Sequence, residues 1–137
     1  MSLYLCIFAG ETELAGVEVG SYAEFGAFRQ AVAAELEGGK AGSRFPALML
    51  HSDCDGVWSV DECGPLQEEL RTISAEMRAR PARSFSSAAQ RAVATARGRQ
   101  AEHGGESFVD VDGEFLLERL QGLVAVALHQ GRPILFQ

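Results

Sequence analysis

The residues best suited to chemistry lie together: His51, Asp53, Cys54, Asp55, Asp61, Glu62 and Cys63 surround the single tryptophan, Trp58. An Asp-x-Asp-Gly loop of this kind first suggests calcium. Aligned on an EF-hand loop, Asp53 takes the third position, Asp55 the fifth, Gly56 the sixth and Glu62 the twelfth. The first position demands a carboxylate and here is His51, a poor ligand for a hard, oxygen-seeking cation. The plainer role for these acids is to cap the following helix and meet its dipole. A calcium-type module or metal-dependent enzyme built on Asp53-x-Asp55-Gly56 stands as the competing reading.

Three other chemistries use the same residues. An apolar run followed by Asp-x-Asp-Gly-Val resembles the first motif of haloacid dehalogenase-like phosphatases, in which one aspartate attacks and the next moves a proton. That chemistry needs a long sheet after the motif and a downstream lysine, and the sole lysine, Lys40, lies upstream. His51, Cys54 and Cys63 offer soft ligands for zinc, but their spacing matches no compact zinc knuckle. A Cys54–His51 nucleophilic pair lacks an orienting third group. Gly38, Gly39 and Gly42 follow a helix end, whereas a phosphate cradle precedes a helix start. Trp58, a large amphipathic ring among acids, serves either to staple the loop to the core or to anchor a partner.

The elements that position these residues follow from apolar spacing. Leu3 to Phe8 is a continuous apolar run and Gly16 to Val19 alternates, which predicts a β-hairpin. Ser21 and Glu24 form a capping-box pattern ahead of Tyr22, Phe25, Phe28, Val32 and Leu36, the apolar stripe of a helix that Gly38-Gly39 stops. Pro46 then opens a short apolar segment, Ala47 to Leu50, read as a central strand. Ser59 and Glu62 form a second capping box, although Pro65 makes it plausible for the regular helix to begin there. Residues 82–105 read as a peripheral helix or mobile excursion, with a capping pattern at Ser87. A strand over Ser107 to Val111, a helix over Gly113 to His129 and a last strand over Pro133 to Phe136 complete the order. This predicts a single α+β domain over residues 1–137, a mixed sheet of about four to five strands with about three to four helices.

Composition bounds the class. The chain has 137 residues, 47% hydrophobic and 23% charged, the profile of a globular domain able to build its own core. Three cysteines, an odd number, without an export signal imply reduced thiols and a cytoplasmic protein, and no segment is apolar enough for a membrane helix. A net charge of −7 disfavours nucleic acid and favours a basic partner.

Several marks together carry a family resemblance. The run Leu36-Glu37-Gly38-Gly39-Lys40-Ala41-Gly42-Ser43-Arg44-Phe45-Pro46, the segment Val109-Asp110-Val111-Asp112-Gly113 leading into Leu116-Leu117, and the terminal Pro133-Ile134-Leu135-Phe136 resemble the immunity protein 70 family of bacterial polymorphic toxin systems. The segment from about Pro81 to Glu106 departs from it. The resemblance implies a protein that binds and neutralises a cognate toxin, with no catalytic residues and no cofactor. An acidic surface suits a basic, nuclease-like toxin, since opposite charge speeds association. Asp53, Asp55, Asp61 and Glu62, with Trp58 as a further anchor, are the expected partner-binding residues.

Overall fold

The computed structural model describes residues 2–137. Strands β1 (Ser2–Ala9) and β2 (Thr12–Ser21) form the expected hairpin. Helix α1 (Tyr22–Leu36) follows at once, with the Ser21 hydroxyl accepting the Glu24 N–H at 3.1 Å. A one-turn helix α2 (Pro46–Met49), a two-residue strand β3 (Val57–Trp58) and the long helix α3 (Val60–Arg78) carry the acidic loop between them. Helix α4 (Ala88–Ala96), a 3-10 turn at Gly104–Glu106, helix α5 (Leu116–Gln130) and strand β4 (Ile134–Phe136) complete the chain.

The class is α+β. The strands form one sheet in the order β2-β1-β4-β3, and every pairing is antiparallel, so the sheet is not mixed. Two register irregularities let β2 bulge against β1 near Phe8 and near Leu3. Leu3, Leu5, Ile7, Val17, Val19, Ile134, Phe136 and Trp58 turn inward, where they meet the apolar stripes of the helices. On α5 that stripe is Leu116, Leu117, Leu120, Leu123, Val124 and Ala127, as its spacing predicts. Each such leucine stabilises the fold by about 1.5–3 kcal/mol relative to exposure.

Three elements depart from expectation. Pro46 to Leu50 is not a central strand: Pro46 starts a helical turn, and side chains from elsewhere satisfy its ends. The Glu69 carboxylate accepts the Ala47 and Leu48 N–H groups, both at 3.0 Å. The Arg29 guanidinium donates to the carbonyls of Leu48, Met49 and His51 at 2.9–3.3 Å. Second, α3 starts at Val60 rather than Pro65, because Ser59 and Glu62 complete their capping box. Pro65 therefore sits inside the helix and removes a donor from the Asp61 carbonyl, which is tolerable because Asp61 is exposed. Third, Ser107 to Val111 contributes only the bridge Val109–Phe115, and α5 begins at Leu116.

The segment over residues 82–105 contains α4, capped by the Ser87 hydroxyl, which also donates to Glu24 at 3.2 Å. Among the described residues, no helix is long and apolar enough to cross a membrane.

Candidate functional site

The acidic loop runs from α2 to β3 at one edge of the sheet. Asp53, Asp55, Asp61 and Glu62 are all exposed. They do not act alike: the Glu62 carboxylate accepts the Ser59 N–H at 3.1 Å, so it is part of the α3 cap, as Asp61 is part of its first turn. Asp53 and Asp55 project from the loop itself, where the Ser52 hydroxyl accepts the N–H groups of Cys54 and Asp55. Asp53 lies close enough to Arg29 to favour its charged form, against the burial that pushes the guanidinium below its ordinary value.

Trp58 takes the stapling role. It is 1% exposed, and its indole N–H donates to the Ala47 carbonyl at 2.9 Å. A ring so enclosed offers a partner no surface, which corrects the expectation of an anchor at this position. Its neighbours are Phe136, edge-on at 4.7 Å, and His51, which stacks on Phe136 at 4.1 Å. The two His51 ring nitrogens lie 2.8 Å from the Ser52 carbonyl and 2.7 Å from the Val57 carbonyl. This aromatic trio folds the loop back on the sheet, so the acids are held up by a rigid base. Nothing in the His51-to-Trp58 spacing announces it, because Phe136 arrives from the other end of the chain.

The same contacts bear on the chemical readings. Both His51 nitrogens already face carbonyl oxygens, Cys54 is exposed, and Cys63 is fully buried with its sulfur toward the Trp58 carbonyl at 3.9 Å. The three soft ligands do not converge, and His51 does not address the Cys54 sulfur. Among the described residues, no group of three or more His, Cys, Asp or Glu side chains is placed to hold a metal ion. Burial pushes the Cys63 thiol up to about 11, and Cys6 also rises, which leaves Cys54 as the accessible thiol of the three.

The second Asp-x-Asp-Gly segment serves packing. Asp110 is 1% exposed, accepts the Glu114 N–H at 3.0 Å and lies 3.0 Å from the Arg119 guanidinium, tying the loop to α5. Burial raises its carboxyl pKa, and the Glu114 N–H and Arg119 oppose the rise. In the glycine-rich run, the Glu37 carboxylate accepts the N–H groups of Gly42, Arg44 and Phe45 at 2.9–3.3 Å. Those three N–H groups are turned toward a carboxylate of the chain itself, and those of Gly39, Lys40 and Ser43 bond backbone carbonyls, so none of the six is open to a phosphate.

A family model described as Immunity protein 70 matches residues 3–136. No curated protein and no solved structure matches the chain.

Proposed function

The chain belongs to the immunity protein 70 family, and from that premise we propose that it neutralises a cognate toxin by forming a stoichiometric complex, with no bond made or broken by this chain. The match over residues 3–136 carries the reading, because it spans the whole core and not a shared fragment. The net charge of −7 supports a basic partner, whose encounter an acidic surface accelerates. Asp53 and Asp55 are the acids best placed to steer it: they are exposed, stand on the loop braced by His51, Trp58 and Phe136, and form no part of the α3 cap. Asp61 and Glu62 add negative charge beside them.

The test is association kinetics with the cognate toxin domain. Reversing charge with Asp53→Lys and Asp55→Lys is expected to slow association by about tenfold at low salt, with the difference shrinking as salt screens the field. A salt-independent rate equal to that of the unaltered protein would move the steering surface elsewhere.

A further inference from the structure

The helices pack on one side of the sheet and leave the other side without a layer. Alternation along each strand assigns this outer face: Tyr4, Cys6 and Phe8 on β1, Gly16 and Glu18 on β2, Leu135 on β4 and Val57 on β3. One row crosses all four strands, Val57 beside Leu135 beside Cys6 beside Gly16. None of Tyr4, Phe8, Leu135 or Val57 belongs to the core cluster or packs on it. Val57 is 40% exposed, Tyr4, Phe8 and Leu135 are half-buried, and Cys6 between them is fully buried.

Tyr4 is held in place on this face. Its phenol lies across Gly16, where a Cβ would come within 2.0 Å of the hydroxyl, and donates to Glu13 Oε1 at 2.5 Å. Gly16 thus makes room for a ring that no core contact requires. An aromatic already held by a hydrogen bond on a solvent-facing surface loses less entropy when a partner covers it than a free one does.

Charge indicates what the partner must be. The four strands carry Glu13 and Glu18 and no basic residue. The loops that enter them add Glu11, Asp53 and Asp55 against one base, Arg132. An apolar centre with an acidic rim complements an apolar patch ringed by Lys and Arg.

We infer that the open sheet face, with Tyr4, Phe8, Leu135 and Val57 at its centre and Glu13, Glu18, Asp53 and Asp55 at its rim, is the surface that covers the toxin. This rests on the toxin-binding function proposed above. The acidic loop then steers the encounter, and the sheet face holds the complex.

The experiment compares binding of the cognate toxin domain to the unaltered protein, to Val57→Lys and Phe8→Lys, and to Ala96→Lys, which makes the same charge change on the exposed end of α4. Val57→Lys and Phe8→Lys are expected to weaken binding roughly 30-fold or more, the scale of a lost anchor, while Ala96→Lys stays within about threefold. Alkylation of Cys54 by iodoacetamide, measured on the unaltered chain, should slow severalfold in the complex, and this readout needs no variant to fold. Unchanged affinity of the folded sheet-face variants, or equal Cys54 alkylation in free and bound protein, overturns the placement while toxin binding stands. Absence of binding by the unaltered protein overturns the functional reading, and the placement with it.

Discussion

The Tyr4 phenol shows how a single side chain can be prepared on a surface that the core does not use. Its hydrogen bond to Glu13, together with burial and the negative charge of Glu13, raises its pKa from 10.0 to about 12. A group whose pKa is raised on folding adds stability that is fully present below the unfolded pKa and is lost as pH rises through the folded one. Tyr4 therefore contributes up to about pH 10, and its contribution disappears through about pH 12. Alkaline unfolding of Tyr4→Phe, followed by circular dichroism, is expected to fall less steeply over that window than the unaltered protein. Parallel curves would mean that the phenol is free. Sequence alone could not show this, since Tyr4 reads as one more apolar residue in a strand and Gly16 as the first residue of the alternating strand that follows the turn. Trp58 was more legible: a large ring in a short loop between a strand and a helix start is most simply enclosed, and it is.

At the scale of elements, α2 depends on groups far away in sequence. Glu69 from α3 closes its N-terminus and Arg29 from α1 closes its C-terminus. Burial pushes the Glu69 carboxyl pKa up, opposed by its two backbone donors. Glu69→Ala is expected to cost about 2–4 kcal/mol in urea unfolding, because it leaves the Ala47 and Leu48 N–H groups without an acceptor in a partly buried site. Glu69→Gln retains a carbonyl acceptor and should lose less than half as much. Equal, small losses would show that solvent satisfies the turn.

This dependence explains why Pro46 to Leu50 reads as a strand in the sequence. Four apolar residues after a proline fit a buried strand as well as a buried turn, and the deciding carboxylate and guanidinium stand 19 to 22 residues away. The long elements were legible for the opposite reason. The stripes of α1 and α5, the Ser21 cap and the Ser59 capping box are local signals that tertiary packing reinforced; at Ser21 only half of the expected box forms, because the Glu24 carboxylate accepts from the Ser87 hydroxyl instead. The strand expected at Ser107 to Val111 does not form a ladder: only the Val111 N–H reaches the sheet, at the Glu18 carbonyl of β2, while Val109 forms an isolated bridge to Phe115.

At the scale of the whole molecule, the chain has two unlike sides. Helices cover one side of the sheet, and the other keeps an apolar centre edged by acids. The acidic loop lies at the seam, entering the sheet through Val57. Family membership was legible because its marks are spread over the chain, and the match over residues 3–136 bears that out. The outer face was not legible as a site, because Tyr4, Phe8, Val57 and Leu135 come from three strands that the order of the sequence does not place side by side.

Binding that consumes one inhibitor per toxin differs from any catalytic defence in its dose dependence, and this gives the most direct test of the central claim. The activity of a fixed amount of the cognate toxin domain is measured while purified protein is titrated in. Stoichiometric neutralisation gives a linear fall that ends at a fixed molar ratio, with the two proteins eluting together from a sizing column at that point. Toxin activity that persists in excess protein, or that disappears at a small fraction of an equivalent, would contradict it.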